Sequence, residues 1–419
     1  MIASIIYNLF IRLYRLSVGI AATTGNQKAK KWVEGRHHWA SQLREQHLER
    51  GAVVWVHAAS LGEFEQGRPV LEAIRAEYPG HKILLTFFSP SGYEVRRNYP
   101  GADYICYLPL DTRANARQFV EIVRPKLVIF IKYEFWLHFL TELHTRKIPV
   151  LLISGIFRKD QVFFKRYGGM FRRLLAGFTH LFLQNQASLE LLQQLGLKNI
   201  SVSGDTRFDR VAALLRDGNT LPLIEKFGAT SRLLVAGSTW PEDEQLLAGW
   251  WHRQQHPGLK LVIAPHEIHE THIQAILQHF PNAVRYSTLK ENWQEASVLI
   301  IDNIGMLTTL YKYATIAYVG GGLGKGGIHN ILEPAVYGMP VIIGPVYEKY
   351  FEAVELVAAG GALVVKDQEQ LGHTLQHLLT DEAACKKTAA ISKSYVMANQ
   401  GATPKIMDYI QEKRFLSNV

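Results

Sequence analysis

A glutamate with two candidate roles lies in the stretch HAASLGEFEQG, residues 57–67. The apolar run Val53–Val56 predicts a buried strand before it, and the amphipathic pattern from Glu65 onward predicts a helix after it. Glu63 is therefore expected where the chain turns from the strand into the helix. Free N–H groups stabilise a carboxylate in a first helical turn by about 0.3–1 kcal/mol, which makes Glu63 a candidate capping residue. The same carboxylate is also a candidate general base that removes a proton from a substrate hydroxyl.

Two further charged side chains follow other predicted strands. Glu134 comes just after the apolar run Leu127–Ile131, and Arg207 follows the run Ile200–Val202 within the motif GDTRFD. The carboxyl ends of parallel strands meet at one edge of a sheet, and open α/β sheets bind their ligands at this edge. We therefore expect Glu63, Glu134 and Arg207 to converge on one ligand-binding edge.

A glycine-rich run later in the chain has the composition of a phosphate-binding loop. Residues 318–345 read YVGGGLGKGGIHNILEPAVYGMPVIIGP, with a predicted strand before the glycines and a predicted helix beginning near Asn330. Glycines let the backbone approach a phosphate closely, and a helix N-terminus supplies N–H donors. Glu333 could accept hydrogen bonds from ribose hydroxyls, or it could only stabilise the helix dipole. The glycine spacing matches neither the dinucleotide fingerprint nor the P-loop, which argues against an ATPase.

The histidines and cysteines favour neither a catalytic metal nor a disulfide framework. The segment PHEIHETHI places His266, His269 and His272 three residues apart, whereas helical zinc hydrolases use a pair four residues apart. The two cysteines, Cys106 and Cys385, are too few for a disulfide framework and indicate a reducing compartment.

The elements that position these residues are predicted to form two α/β domains. From residue 51 onward, short apolar runs rich in β-branched residues alternate with helical patterns, which is typical of parallel sheets covered by helices on both faces. A polar segment containing Gly and Pro interrupts this alternation. We predict an N-terminal segment at residues 1–50, a doubly wound domain at 51–216, a linker at 217–231 and a second doubly wound domain at 232–419. The cleft between two such domains is the expected ligand site.

Positive charge is concentrated in two parts of a chain whose formal net charge is +9. Residues 1–50 hold eight Lys and Arg against three Glu, and residues 158–173 hold six Lys and Arg against one Asp. Both parts also contain many apolar and aromatic residues, which suits an anionic membrane surface better than nucleic acid. The uncharged N-terminal run stops at Arg12, which is short for a membrane span. We predict a helix that lies in the membrane interface; an amphipathic helix packed on the domain is the alternative.

Taken together, these motifs resemble the 3-deoxy-D-manno-octulosonic acid (Kdo) transferases of lipopolysaccharide biosynthesis over nearly the full chain. The resemblance rests on HAASLGE, GDTRFD, AGST at Ala236–Thr239, and the glycine-rich run with its HN and LEP. It implies a GT-B fold and an inverting transfer of Kdo from CMP-Kdo to a lipid A precursor, lipid IVA. It also implies a place on the cytoplasmic face of the inner membrane of a Gram-negative bacterium, and no nucleic-acid partner.

The resemblance assigns roles to individual residues. It makes Glu63 the general base, with Glu134 and Arg207 assisting at the transition state. CMP is expected to contact Pro265, His266, Ile304, Gly305, Met306, Asn330, Ile331, Leu332 and Glu333. Additional donor contacts are expected from Ser60, Gly62, Gly237, Ser238 and Thr239. CMP leaves as a phosphomonoester, which needs less charge neutralisation than a diphosphate, so we predict no metal cofactor.

Three segments depart from the family pattern. The second acidic motif, usually E-T-E, is Lys132-Tyr133-Glu134 here, and Arg207 replaces the usual Lys before FD. The segment PHEIH, which contains His266, replaces the usual R-H-P-E-R. Two other interpretations therefore stay open: a different GT-B enzyme, such as a UDP-sugar transferase or epimerase, and a membrane-peripheral protein that keeps the fold without the catalysis.

Overall fold

The computed structural model describes residues 2–48, 51–253, 257–289 and 293–417 of the chain. The chain divides into two compact units. The first contains residues up to Arg210 together with residues from Gln400 onward, and the second contains Val211–Asn399.

The first unit begins with three helices and continues as an alternation of strands and helices. The first three helices are α1 (Ile2–Thr23), α2 (Gln27–Glu34) and α3 (Trp39–Glu45). The strands are β1 (Val53–Ala58), β2 (Lys82–Phe87), β3 (Tyr104–Tyr107), β4 (Leu127–Ile131), β5 (Val150–Gly155), β6 (His180–Leu183) and β7 (Ile200–Val202). The helices that follow them are α4 (Leu61–Glu77), α5 (Pro90–Arg96), α6 (Arg113–Val123), α7 (Leu137–Thr145), α8 (Gly169–Ala176), α9 (Gln186–Gln194) and α10 (Thr206–Ala213).

The strands of the first unit form one parallel sheet in the order β3-β2-β1-β4-β5-β6-β7. Strands β1, β4 and β5 are buried along their whole length, as expected for β-branched runs covered by helices on both faces. The winding direction reverses between β1 and β4. Such a reversal point opens a crevice at the carboxyl ends of the two strands.

The second unit repeats this architecture. Its strands are β8 (Arg232–Thr239), β9 (Leu259–Pro265), β10 (Val284–Arg285), β11 (Val298–Ile300), β12 (Ile316–Val319), β13 (Val341–Ile343) and β14 (Ala362–Val364). Its helices are α11 (Pro222–Gly228), α12 (Pro241–Trp251), α13 (Glu270–His279), α14 (Leu307–Leu310), α15 (Leu332–Tyr337), α16 (Phe351–Ala359), α17 (Gln368–Thr380) and α18 (Glu382–Asn399). The strand order is β10-β11-β9-β8-β12-β13-β14, with the reversal point between β8 and β12. The predicted α/β class with two doubly wound domains is confirmed.

The last helix, α19 (Ala402–Glu412), belongs to the first unit, although the sequence prediction placed residues 232–419 in the second domain. Its apolar side chains Ile406 and Ile410 are fully buried in a core cluster with Phe64 of α4. Its first turn is held by the Asp209 carboxylate, which accepts hydrogen bonds from the backbone N–H groups of Gly401 and Thr403. The helix belongs to the first unit because its apolar face is buried against α4 of that unit.

The predicted linker at residues 217–231 also differs from the structure. Residues Pro222–Gly228 form helix α11, and its side chains Ile224 and Phe227 are fully buried in the core of the second unit. Pro222 occupies the first position of this helix, where proline is favoured, and Gly228 is its last residue. The composition that suggested a linker therefore marks the two ends of a short helix.

Helix α1 carries two apolar faces. Tyr7, Ile11 and Tyr14 pack on the first unit, and the Tyr7 hydroxyl donates to Asp111 Oδ2 at 2.5 Å. The opposite face exposes Ile5, Ile6, Leu9, Phe10, Leu13, Leu16 and Ile20, each by 55–62%. Among the described residues, Ala3–Thr23 is long and apolar enough to cross a membrane by length and composition alone. One face thus fits the alternative of a helix packed on the domain, whereas the face on which the interfacial prediction depends is exposed.

Candidate active site

Glu63 lies beside the reversal point of the first sheet, in the first turn of α4. Ser60 is the N-cap residue of this helix, yet its hydroxyl donates to the Glu63 carboxylate and makes no capping bond to the backbone. The Glu63 side chain is partly exposed, and Gly62 beside it is exposed with open space around it. The carboxylate is therefore oriented by a neighbouring hydroxyl and remains accessible from solvent.

The segment after β4 lies at the same edge of the sheet. Strands β1 and β4 pair directly, with His57 opposite Phe130. Burial raises the pKa of Tyr133, the positive charge of Arg158 opposes this rise, and the negative charge of Glu63 adds to it. Glu63 and the KYE segment thus follow two neighbouring strands at one edge of the sheet.

Glu134 is part of a buried polar network with His57. The Glu134 side chain is 7% exposed, and its Oε2 lies 3.0 Å from Nε2 of the fully buried His57. The indole N–H of Trp136 donates to the same oxygen at 2.6 Å. On its other side, the His57 ring contacts the Thr86 hydroxyl at 2.8 Å. Two partners thus fix the Glu134 carboxylate, and neither Trp136 nor His57 was among the residues singled out from the sequence.

Arg207 is fixed by the carboxylate that precedes it by two residues. Asp205 accepts hydrogen bonds from the Arg207 backbone N–H at 2.9 Å, from Nε at 2.9 Å and from Nη2 at 2.7 Å. Thr206 bonds the Ser154 hydroxyl and the Gln66 carbonyl, so the start of α10 is attached to α4. This contact brings Arg207 toward the helix that carries Glu63, although β7 and β1 are not neighbours in the sheet.

An apolar cavity of about 670 Å³ opens beside Glu134. Its walls come from α1, from the segments after β2 and β4, and from α8 together with the segment between β5 and α8. The lining includes Tyr7, Phe10, Ile11, Phe88, Tyr133, Glu134, Phe135, Trp136, Arg158, Gln161, Val162, Phe163 and Phe171. Arg158 is exposed and adds a positive charge to a cavity that is otherwise mostly apolar.

In the second unit, the glycine-rich loop is fixed by one buried carboxylate. Asp243 accepts hydrogen bonds from the Trp240 N–H at 2.9 Å, the Tyr318 hydroxyl at 2.7 Å and the Gly321 N–H at 2.8 Å. Burial raises the pKa of Asp243, and these three donors counteract the rise. A Cβ atom at Gly320 would lie 2.4 Å from the carbonyl oxygen of Ser238, so this glycine is required by close chain packing rather than by a phosphate.

The predicted nucleotide contacts divide into exposed and buried groups. Ile304 is 86% exposed, and Gly305 has a φ of 94° in the same loop. Ile331 and Leu332 are fully buried, so only their backbone could contact a ligand. The Thr239 side chain is also unavailable, because it is fully buried and its hydroxyl donates to Glu244 at 2.8 Å. Gly237 and Ser238, which were also predicted to contact the donor, precede Thr239 at the end of β8.

Asn330 and Glu333 are held together before and within the short helix α15. The Asn330 side chain accepts from the Leu332 N–H at 3.1 Å and donates to Glu333 Oε1 at 3.0 Å. The Thr308 hydroxyl donates to the other Glu333 oxygen at 3.0 Å. The helix begins at Leu332 and not at Asn330, whose side chain bonds the N–H of this first helical residue.

Three aromatic rings meet beside the reversal point of the second sheet, and we refer to Trp240, His266 and His329 as the ring cluster. The Trp240 indole N–H donates to His329 Nε2 at 2.8 Å. His266 follows β9 at Pro265, is exposed, and stacks on both other rings. Trp240 was missed from the sequence, although it directly follows Thr239. His329 was recognised only as part of the HN motif and not as a site residue.

The remaining histidines of the PHEIHETHI segment have structural partners. His269 is the N-cap of α13, and its Nδ1 accepts from the His272 N–H at 3.1 Å. His272 Nε2 lies 2.9 Å from Glu244 Oε2. Over the described ranges, no group of three or more His, Cys, Asp or Glu side chains is arranged to hold a metal ion.

Solved structures with a similar fold include sugar-nucleotide enzymes. The UDP-GlcNAc 2-epimerase from Neisseria meningitidis bound to UDP-GlcNAc matches 86% of this chain and all of its own, with a TM-score of 0.62 and 17% identity. A putative UDP-N-acetylglucosamine 2-epimerase from Listeria monocytogenes matches 87% of this chain and 96% of its own, with a TM-score of 0.62 and 14% identity. At these identities the similarity concerns the fold alone.

Sequence comparison is more specific. A family model described as 3-Deoxy-D-manno-octulosonic-acid transferase (kdotransferase) matches residues 30–210. The 3-deoxy-D-manno-octulosonic acid transferase of Aquifex aeolicus is 29% identical over 339 residues, 79% of this chain and 87% of that protein. The enzyme of the same name from Haemophilus influenzae is 28% identical over 375 residues, 85% of this chain and 86% of that protein. Over most of its length, the chain is therefore similar to the 3-deoxy-D-manno-octulosonic acid transferases.

Proposed function

We propose that this protein transfers Kdo from CMP-Kdo to a lipid A precursor in lipopolysaccharide biosynthesis. The observation that carries the proposal is the match to Kdo transferases over residues 30–210 and over about four fifths of the chain in whole relatives. In this reaction an acceptor hydroxyl oxygen bonds to the anomeric carbon of Kdo. The bond from that carbon to the CMP phosphate breaks, and CMP leaves with the electron pair.

We assign the general base to Glu63. The acceptor hydroxyl must lose its proton as it attacks, and a carboxylate within reach can accept it. Glu63 suits this role because it is partly exposed at the reversal point and is oriented by the Ser60 hydroxyl. Its hydrogen-bond partner is the Ser60 side chain, and the helix dipole stabilises a carboxylate in this first turn without preventing it from accepting a proton.

Glu134 and Arg207 assist in this proposal through fixed charges. Sugar transfer builds oxocarbenium-like positive charge on the sugar and negative charge on the leaving phosphate. Glu134 supplies a carboxylate that His57 and Trp136 hold in place, and Arg207 supplies a guanidinium that Asp205 orients. Groups that are already oriented need no rearrangement when the charge develops.

We assign CMP to the carboxyl edge of the second sheet. Three segments converge there: His266 after β9, residues 304–306 after β11, and Asn330–Glu333 after the glycine-rich loop. The Glu333 carboxylate, held by Thr308 and Asn330, is suited to accept hydrogen bonds from ribose hydroxyls. The side chains of Pro265, Ile331 and Leu332 are buried. In this proposal these three residues contact CMP through their backbone, and the exposed loop at Ile304 provides a further contact.

The apolar cavity beside Glu134 suits the acyl part of the acceptor. A lipid A precursor combines acyl chains with phosphate groups, and the cavity combines aromatic walls with a positive charge at Arg158. Further exposed cations, including Lys159, Arg166 and Arg173, lie in the segment 158–173 that forms one wall. We therefore place the acceptor in the first unit, with its apolar part beside α1.

The exposed apolar face of α1 provides the attachment to the membrane surface in this proposal. Apolar residues spaced at helical intervals and flanked by cations are typical of interfacial helices. Because the opposite face is packed on the first unit, inserting the exposed face would also hold the cavity near the lipid headgroups. We infer a location on the cytoplasmic face of the inner membrane of a Gram-negative bacterium.

The triple variant L9S/L13S/L16S should bind vesicles about 10²-fold more weakly than the unchanged protein, or weaker still. Burying one leucine contributes about 1.5–3 kcal/mol, and a factor of ten corresponds to about 1.4 kcal/mol. Partitioning onto vesicles of anionic phospholipid, followed by sedimentation, measures the difference. The control L215S/L223S/V354S removes exposed apolar side chains elsewhere and should bind normally. Equal partitioning of both triple variants would contradict membrane attachment through α1.

Product mass is the direct test of the proposed function. The full chain is incubated with CMP-Kdo and tetraacylated lipid A precursor, and each transfer adds the mass of one Kdo residue to the acceptor. The same measurement counts the Kdo units, and a parallel reaction with EDTA tests the expected independence from metal. Absence of product, or tight binding of UDP in place of CMP, would overturn the proposal in favour of one of the two other interpretations.

A further inference from the structure

The ring cluster contains a planar hydrogen-bonded pair. The indole of Trp240 and the imidazole of His329 are joined by the bond from Nε1 to Nε2 at 2.8 Å, and their planes differ by only 11°. His266 lies over this pair, with its ring centroid 4.8 Å from that of Trp240 and 4.3 Å from that of His329. Stacking on one face and a hydrogen bond in the plane leave the His329 ring little freedom to rotate.

The pair determines which nitrogen of His329 carries a hydrogen. An indole N–H can only donate, so His329 Nε2 must accept and cannot be protonated. A neutral imidazole with Nε2 as its acceptor carries its hydrogen on Nδ1. Burial, and to a smaller extent the nearby His266, lower the pKa of His329 to about 4, so the ring stays neutral at cytoplasmic pH. The result is an uncharged N–H donor with a fixed direction.

This donor is placed where the second sheet binds ligands. His329 directly precedes Asn330, and its backbone N–H bonds the Gly320 carbonyl at 3.1 Å beside the end of β12. Trp240 directly follows the end of β8, the strand on the other side of the reversal point. The His329 ring is only partly buried, so a ligand at the carboxyl edge can reach it.

We propose that Trp240 fixes His329 as a neutral Nδ1–H donor to an anionic oxygen of the donor sugar nucleotide, either of its phosphate or of its sugar carboxylate. The inference rests on the proposed function and adds His329 as a donor-binding residue and Trp240 as its positioning residue. A neutral donor keeps its hydrogen throughout the neutral pH range, whereas an imidazolium would lose a proton there.

The test compares H329N, H329Q and W240F in the full chain. The amide nitrogen of Asn can replace Nδ1, whereas that of Gln reaches toward the position of Nε2. H329Q should therefore lower kcat/KM for CMP-Kdo by about 10- to 100-fold, the effect of losing a hydrogen bond to a charged group. H329N should remain at least fivefold more active than H329Q, and W240F, which keeps a ring but loses the donor, should fall between them.

Binding of CMP alone distinguishes the two anionic groups. If the phosphate is the partner, calorimetry should show that H329Q weakens CMP binding about as much as it lowers kcat/KM. If the carboxylate is the partner, CMP should bind H329Q normally while the KM for CMP-Kdo rises. H329Q with unchanged CMP affinity and unchanged kcat/KM, in an active preparation, would overturn the inference.

Nitrogen-15 NMR tests the geometry without turnover. The His329 resonances, identified by their loss in H329N, should show hydrogen on Nδ1 and no titration between pH 5.5 and 8. In W240F the fixed tautomer should be lost. Hydrogen on Nε2 in the unchanged protein, or titration near pH 6.5, would overturn the inference. The NMR result does not depend on Kdo transfer. If the protein without substitutions transfers no Kdo, the proposed function is therefore overturned, whatever the NMR shows for His329.

Discussion

Glu63→Gln is expected to lower kcat for Kdo transfer by about 10²–10⁴-fold, the contribution of a positioned general base. The glutamine keeps the size of the side chain and can still accept a hydrogen bond from Ser60, but it cannot take a proton. Binding of CMP should be unchanged, because the nucleotide contacts that we assign lie in the second unit. The rate is measured with saturating donor and acceptor, together with thermal unfolding.

A second carboxylate on the same helix provides the matched control. Glu72 lies on α4 and bonds Arg68 and Tyr99 at the surface. Glu72→Gln should leave kcat within about twofold and stability within about 0.5 kcal/mol, since surface ion pairs contribute little. A Glu63→Gln variant that keeps its rate but unfolds at a lower temperature would show that Glu63 is a structural residue and not the base.

His57→Leu is expected to destabilise the first unit by about 1–3 kcal/mol, the usual cost of leaving a buried polar group without its hydrogen-bond partner. Leucine fills the space of the ring but leaves Glu134 without its partner in a site where the carboxylate is almost fully buried. Trp136 would still donate to Glu134 Oε2, but the contact of this oxygen with the His57 ring would be lost. Urea unfolding of the full chain, followed by circular dichroism, measures the loss.

A double-mutant cycle separates this pairing from simple loss of packing. Glu134→Gln removes the charge while keeping a carbonyl that can accept from Trp136. The double variant H57L/E134Q should therefore be more stable than H57L alone, because no buried charge is left unpaired. If the stability lost in the double variant equalled the sum of the losses in the two single variants, the contact between His57 and Glu134 would not be the source of stability. A loss below about 1 kcal/mol for H57L would contradict this source as well.

The sequence pattern predicted most of the sheet, and the limits of that prediction have identifiable causes. The run Val53–Val56 became β1, and the helical pattern from Glu65 became α4, which starts four residues earlier at Leu61. The early start was missed because residues 59–62 are mostly small, and composition alone does not distinguish a turn from a first helical turn. The packing of α19 was missed because its apolar face fits either unit by pattern, and only long-range contacts decide between them.

The site was predictable where it depends on strand ends. Glu63 and Glu134 could be placed at one edge because each follows a recognisable strand in a parallel sheet. The bond between His57 and Glu134 joins residues 77 positions apart, and that between Trp240 and His329 joins residues 89 positions apart. Neither pairing leaves a periodic signal in the sequence. The sequence favoured contact with a phosphate as the reason for a glycine at position 320. In the structure, the close approach of the Ser238 backbone explains why this residue is a glycine.

The attachment of α19 to Asp209 has a consequence for the order of synthesis. The first unit needs residues from both ends of the chain, because Ile406 and Ile410 complete a core that begins with β1 and α4. The ribosome delivers all of Val211–Asn399 before it delivers this helix. Domains usually fold as units in the order in which they emerge. Here the unit translated first is the last to be completed, and until α19 emerges the apolar surface beside Phe64 is left available to chaperones.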